Sequence, residues 1–280
     1  MKQKKFGSRG PDVSVIGQGT WYLDHGDRNA AIAALRHGIE TGMTHIDTAE
    51  MYGDAELVIA DAIAGLPREK LFLVSKVLPS NASRRGTITA CERSLKRLKT
   101  DHLDCYLLHW RGSYPFEETV AAFEELAASG KIRSWGVSNF DEDDLDELLD
   151  VAGEGRIACN QVLYHLQERA IEHAVIPWCE RNGVAVVAYS PFGHNDFPSA
   201  RSRGGEVLQR TADAHRASPR QVALAFLTRA PSVLAIPKAS SADHATENAA
   251  AGDLKLSDAD IAALEKAFPR GPKPRGLPML

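Results

Sequence analysis

Leu103-Asp104-Cys105-Tyr106-Leu107-Leu108-His109 is an apolar run that ends on an imidazole. Two runs upstream end in a similar way. Thr44-His45-Ile46-Asp47 closes on a carboxylate, and Leu71-Phe72-Leu73-Val74-Ser75-Lys76 closes on an ammonium. Tyr52 follows in the loop beyond Asp47. Short apolar runs of this length read as buried strands. Charged and proton-carrying side chains at the carboxyl ends of successive strands are the pattern of a (β/α)-barrel active site.

Outward from these runs the chain alternates. Strand-like segments recur near 43–47, 71–77, 103–109, 133–137, 158–162, 184–189 and 233–236, with helical patterns near 28–40, 54–64, 86–99, 116–129, 141–149, 171–182 and 218–229. Ser218-Pro219 and Ser257-Asp258-Ala259-Asp260 carry helix-start signals. Alternation of this kind implies parallel strands with right-handed crossovers. With Val13–Gly17 counted as the first strand, eight strand-to-helix steps fit, and the expected fold is a (β/α)8 TIM barrel. An N-terminal β-hairpin is expected over Phe6 to Ile16, turning at Gly10-Pro11-Asp12. A doubly wound open sheet would alternate too, but its site residues would gather at one switch point. Here they follow nearly every strand. Residues 1–280 are expected to form one domain, with 269–280 an irregular surface tail.

The bulk properties narrow the function. A chain of 280 residues suits a single barrel, and 44% apolar with 25% charged residues is ordinary for a globular enzyme. The net charge of −4, without a Lys/Arg block, argues against a nucleic-acid partner. The basic group Lys2-Gln3-Lys4-Lys5 reads as solvated. No apolar run follows it, and no run reaches the length of a membrane helix. Cys91, Cys105, Cys159 and Cys179 are widely spaced and read as reduced core thiols. A cytoplasmic, monomeric protein is expected, without membrane attachment. No metal is expected, because neither H-E-x-x-H nor a Cys/His cluster is present.

Strand alternation gives the site its geometry. If His109 faces the barrel mouth, Leu107, Cys105 and Leu103 point inward below it, while Tyr106, Leu108 and Asp104 face the helices. Val74 and Phe72 lie beneath Lys76. A lone ammonium there would be costly, so Asp47 is its natural counter-ion. A free tyrosine is a poor acid at neutral pH, and a neighbouring cation is expected to lower the pKa of Tyr52 into a usable range. A phenol, an ammonium, a carboxylate and an imidazole together suggest proton transfer to a carbonyl oxygen. Each residue alone is more often structural; the four at successive strand ends reverse that reading.

The motifs resemble the aldo-keto reductase superfamily. They include Gly42-Met43-Thr44-His45-Ile46-Asp47-Thr48-Ala49-Glu50-Met51-Tyr52-Gly53, Val74-Ser75-Lys76, Leu103 to Trp110 and Gly136-Val137-Ser138-Asn139-Phe140. Asn160-Gln161-Val162, Ala188-Tyr189-Ser190-Pro191 and Ile236-Pro237-Lys238 complete the set in family order, over about residues 6 to 268. The short length, Gln18-Gly19-Thr20-Trp21 and the brief loop after Trp110 look most like bacterial members assigned to methylglyoxal reduction.

The resemblance implies roles for particular residues. Tyr52 would donate the proton, Lys76 and Asp47 would tune it, and His109 would position the carbonyl. The cofactor would be a nicotinamide dinucleotide, with NADPH preferred and NADH possible. Gly19 and Thr20 would border it, while Ser138, Asn139 and Gln161 would hold its carboxamide. Tyr189 would stack on the nicotinamide, and Ser190, Pro191 and Phe192 would run along the pyrophosphate. Lys238, with Ala239 and Ser240 beside it, would meet the 2′-phosphate of NADP; Glu247 and Asn248 would lie on the adenine side. Trp21, Met51 and Trp110 would line the mouth for a small carbonyl substrate. One departure stands out: His244 occupies the position where the family commonly has arginine. A guanidinium forks onto phosphate at every pH, whereas a histidine carries only partial charge near neutrality.

Three functions are thus expected, in descending order. The first is NADPH-dependent reduction of small aldehydes and α-dicarbonyls, with methylglyoxal a candidate. The second is reduction of keto acids or keto sugars, or the reverse oxidation of an alcohol. A keto-acid enzyme should present a fixed cation at the mouth, for which Arg111 is the candidate. The third is a non-catalytic subunit that senses nucleotide.

Overall fold

Eight strands run parallel in one continuous sheet, as the alternating sequence requires. The computed structural model describes residues 1–280. The barrel strands are β3 (Gln18–Gly19), β4 (His45–Asp47), β5 (Phe72–Val77), β6 (Leu103–Leu108), β7 (Ile132–Ser138), β8 (Ile157–Leu163), β9 (Ala185–Tyr189) and β10 (Val233–Ala235). They neighbour one another in chain order. A parallel bridge from Ile16 to Ala235 closes the ring, and the Gly19 N–H donates to Pro237 O at 3.1 Å across the same seam. A Cβ on Gly19 would meet the Ile236 carbonyl at 2.5 Å, so only glycine fits this closure.

Ten α-helices wrap the ring: α1 (Arg28–Glu40), α2 (Ala55–Ile63), α3 (Arg84–Leu98), α4 (Phe116–Ala128), α5 (Glu142–Ala152), α6 (Val175–Asn182), α7 (Arg203–His215), α8 (Pro219–Leu227), α9 (Ala242–Ala250) and α10 (Asp258–Ala267). Capping boxes at Ser218–Gln221 and Ser257–Asp260 open α8 and α10 where the sequence signals place them. Helices α7 and α9 were not expected. The Gly204-Gly205 pair weakens the helical signal in α7, and Ala242–Ala250 is polar and alanine-rich, without an apolar stripe.

The hydrophobic core divides as a barrel should. A small cluster of 12 residues fills the lumen, including Phe72, Val74, Cys105, Leu107, Cys159, Val187 and Leu234. A cluster of 57 fills the space between strands and helices, including Tyr106 and Leu108. Leu103 departs from the expected alternation: at the first position of β6 it joins the outer cluster, together with Ile132.

The amino terminus also departs from expectation. The hairpin pairs β1 (Gln3–Lys5) with β2 (Asp12–Ser14), and Phe6 to Pro11 connect them. Val13 and Ser14 therefore belong to the hairpin, and the first barrel strand is only Gln18–Gly19. Phe6 and Val13 plug the lumen from below, with the Phe6 ring 4.5 Å from that of Phe72. Lys4 is not solvated. It is 7% exposed, and its ammonium donates to the carbonyls of Thr228, Ala230 and Val233 at 2.6, 2.5 and 2.8 Å. Those carbonyls, at the end of α8 and the start of β10, are acceptors that a cation satisfies well.

Candidate active site

The strand registers carry the key side chains to one end of the barrel. Asp47 ends β4 beside Gly19 and Val74, Lys76 lies on β5 opposite Leu107, and the His109 N–H donates to Val77 O at 3.0 Å. Tyr52 sits in the turn before α2. Gly53 follows it with φ 51°, and a Cβ there would lie 2.1 Å from Asp24 Oδ2, so the turn that presents the phenol needs glycine.

The four groups meet. Lys76 Nζ, fully buried, donates to Asp47 Oδ1 at 2.5 Å, to Thr48 O at 2.8 Å and to the Tyr52 hydroxyl at 3.4 Å. The Tyr52 oxygen lies 3.5 Å from His109 Nε2. Gln161 Nε2 donates to the other Asp47 oxygen at 2.6 Å, so both carboxylate oxygens are satisfied.

Burial and charge act in opposite directions on these groups. Burial alone would push the Lys76 ammonium down, but the Asp47 carboxylate and Tyr52 outweigh it and hold it above its ordinary value. Burial raises the Asp47 carboxyl against the pull of Lys76 and Gln161. His109 is pushed down to about 2, by burial and then by the charge of Lys76, and is therefore a neutral imidazole. Tyr52 overturns one expectation. Burial raises its phenol above the ordinary value, and Lys76 only partly offsets that. The neighbouring cation alone would have lowered it; the enclosed turn reverses the net direction.

The groups open onto a cleft of about 270 Å³. Trp21, Met51 and Trp110 border it beside Asp47, Tyr52 and His109. So do Gly19, Thr20, Ser138, Asn139, Gln161, Tyr189, Ser190, Pro191, Phe192 and Lys238. Lys76 lies behind Tyr52. Asn139 and Ser190 adopt left-handed backbone, with φ of 63° and 47°, at the ends of β7 and β9. Such conformations concentrate at functional sites. The Tyr189 hydroxyl donates to Asn139 Oδ1 at 2.9 Å, and Asn139 Nδ2 donates to His109 O at 3.1 Å, which locks that wall together.

Other sequence candidates lie outside the cleft. Ala239 and Ser240 continue from Lys238 along the surface to His244, in the first turn of α9, whose Nδ1 is 3.5 Å from Ser240 Oγ. Glu247 accepts from Ser218 Oγ and Asn248 is buried, so both tie α9 to its surroundings. Arg111 turns away from the mouth. Its guanidinium is held by Asp144 at 2.6 Å and by Glu147 at 2.7 and 2.9 Å, and it lies over the Phe116 ring. Tyr22, Gly193, His194, Ile236 and Leu280 border the cleft without having been foreseen. Trp21 stacks on Tyr22 at 4.5 Å and on His194 at 5.7 Å, bridging the loops after β3 and β9. Proximity to Trp21 and Tyr189 in sequence could have flagged Tyr22 and His194. Leu280 had no local signal.

Comparison with known proteins agrees with this arrangement. The aldo/keto reductase family model matches residues 15–268. The chain is 51% identical to methylglyoxal reductase YeaE of Escherichia coli over 96% of each protein. It is 35% identical to glyoxal reductase of Bacillus subtilis, over 95% of this chain and 94% of that one. A crystal structure of an aldo-keto reductase from Klebsiella pneumoniae in complex with NADPH superposes over 100% of both chains, with a TM-score of 0.93 and 44% identity. By its sequence, its barrel and its full-length match to named reductases, the chain belongs to the aldo/keto reductase family.

Proposed function

We propose that this protein is an NADPH-dependent reductase of small aldehydes and α-dicarbonyls, with methylglyoxal as the candidate substrate, in which Tyr52 donates the proton. The observation that carries this reading is the placement of the Tyr52 hydroxyl 3.4 Å from Lys76 Nζ and 3.5 Å from His109 Nε2 in the floor of the cleft. The relatives named for methylglyoxal and glyoxal reduction support the substrate class. Residues 1–280 would act as one barrel domain.

The lining fits a nicotinamide dinucleotide. Side-chain amides of Asn139 and Gln161 and the Ser138 hydroxyl gather on one wall beside the Tyr189 ring, and Lys238 lies in the same cleft with no carboxylate within ion-pair distance. Ser138, Asn139 and Gln161 would hold the carboxamide, Tyr189 would pack against the ring, and Lys238 would meet a phosphate. When bound, the reduced nicotinamide supplies hydride to the carbonyl carbon.

The chain's own residues manage the proton. Burial keeps Tyr52 protonated at neutral pH, which is the state a general acid must hold before it acts. Neutral His109 can donate to the carbonyl oxygen and orient it. The Lys76 ammonium, held by Asp47, then stabilises the phenolate left on Tyr52. Trp21, Met51 and Trp110 offer apolar surface and no charge, which suits small neutral carbonyls. The keto-acid alternative loses its cation, because Arg111 is already paired with Asp144 and Glu147.

Replacing Tyr52→Phe keeps the ring and removes the acid. With NADPH and methylglyoxal, kcat is expected to fall by roughly 10²–10⁴, the usual worth of general acid catalysis. NADPH affinity, followed by fluorescence quenching, should change little. A Tyr52→Phe variant with near wild-type kcat would sink the mechanism. A wild-type protein that binds NADPH but reduces no carbonyl would point to the sensing subunit instead.

A further inference from the structure

The chain has eight sulfur atoms, from four cysteines and four methionines. Six are shielded. Cys91, Cys105, Cys159 and Cys179 are all buried, and burial pushes the Cys91 thiol up to about 12 and those of Cys159 and Cys179 upward as well. Thiols held in the protonated form are poor nucleophiles. Met43 is 1% exposed, and the Met1 side chain, 7% exposed, packs against Gly252. The remaining two sulfurs belong to Met51, 45% exposed, and Met279, 54% exposed. Both lie at the same opening: Met51 borders the cleft, and Met279 adjoins Leu280, which borders it too.

We propose that Met51 is a peroxide-sensitive modification site whose oxidation to the sulfoxide lowers turnover reversibly. The reaction balances simply. The thioether sulfur attacks one oxygen of hydrogen peroxide, the O–O bond breaks and an S–O bond forms. The departing hydroxide takes up the remaining proton and leaves as water. Sulfur is oxidised by two electrons and the peroxide is reduced by two.

Position gives the change its effect. Met51 precedes Tyr52 directly and shares the mouth with Trp21 and Trp110. A sulfoxide turns a flexible apolar side chain into a polar, chiral one. In that mouth it replaces apolar contact with a strong acceptor that must be desolvated whenever a carbonyl enters. Met279 is expected to oxidise as well, but it is not among the residues that border the cleft. The modification needs only exposure; its effect on turnover rests on reading the cleft as the substrate site.

The experiment treats the full-length protein with graded hydrogen peroxide, removes the peroxide, and maps each methionine by peptide mass spectrometry. Methylglyoxal reduction with NADPH is followed on the same samples. Sulfoxide is expected at Met51 and Met279 well before Met43 and Met1. At full Met51 oxidation kcat/KM is expected to fall roughly fivefold or more. The loss should follow Met51 occupancy and reverse with methionine sulfoxide reductases. Met51→Leu should keep its own starting activity through the same treatment, while Met279→Leu should lose activity as the wild type does. Oxidation of Met51 no faster than that of Met43 would overturn the proposal, as would an equal fractional loss in Met51→Leu. If untreated protein reduced no carbonyl, the proposed function would fail, and the mapping alone would decide the modification.

Discussion

In the proposed reaction Tyr52 must keep a proton at rest and release it on demand, and its surroundings would divide those tasks. Burial raises the phenol, and the ammonium at 3.4 Å waits to stabilise the anion. A cation strong enough to keep the residue ionised at rest would have removed its acid. Under the same proposal, phosphate recognition would fall to Lys238 and His244. Lys238 sits in the cleft, whereas His244 lies in the first turn of α9, its ring 3.5 Å from Ser240 Oγ. A guanidinium in its place would add a permanent charge and a fork of donors. We expect His244→Arg to tighten NADPH about tenfold relative to NADH, or ~1.4 kcal/mol. Fluorescence titration with each cofactor measures this directly. An unchanged ratio would place His244 out of reach of the bound nucleotide.

Segments that lack regular structure also border and tether the cleft. The tail after α10 begins where Arg169 Nη1 donates to Phe268 O at 2.5 Å, and His173 then binds Gly271 O at 3.1 Å. Lys273 pairs with Glu142, at the start of α5, and the Leu280 N–H reaches the Tyr189 hydroxyl at 3.4 Å. Exposed ion pairs contribute little to stability, so this clip is weak enough to adjust. Lys273→Glu should raise hydrogen–deuterium exchange across residues 273–280 several-fold while leaving the strands protected. The charge swap Lys273→Glu with Glu142→Lys should restore protection, and failure of that rescue would show that the pair does not hold the tail. None of this was legible in the sequence, because proline, glycine and arginine carry no periodicity and the tail's partners are distant. By contrast β5 and β6 announce themselves as apolar runs, the first carrying Lys76 one residue before its end and the second stopping just short of His109, since a buried parallel strand has little freedom of composition. β1 escaped notice for the opposite reason. Its lysines read as solvated, and only the carbonyls at the end of α8 explain why Lys4 is buried.

The barrel as a whole concentrates polar groups in its lumen and keeps them neutral or paired. His45 lies on β4 two residues below Asp47, edge-on to Phe6 and Phe72 at 5.6 and 5.5 Å, and neither ring nitrogen has a protein partner. Burial first, and then Lys76, pushes it down to about 3, as the same forces push His109 down to about 2. These depressions make stability depend on pH with a definite sign. Below the ordinary histidine value near 6.5 the unfolded chain binds protons at both residues, while the folded chain stays neutral until about 3 or 2. The unfolded state therefore holds more protons across that window, and stability falls as pH falls. Each histidine contributes a slope of about 1.4 kcal/mol per pH unit within the window. Most carboxylates are still ionised between pH 6 and 5, so the histidines dominate that interval, with the raised Asp47 carboxyl acting in the opposite direction. Urea unfolding midpoints should decline from pH 7 to pH 5 in the wild type. His45→Phe retains an aromatic ring beside Phe6 and Phe72 and abolishes one of the depressed titrations, leaving those of His109 and His165, so its stability should decline less over the same interval. An equal decline in both proteins would mean that His45 is already solvated or paired in the folded state, and that the lumen is more polar than its packing implies.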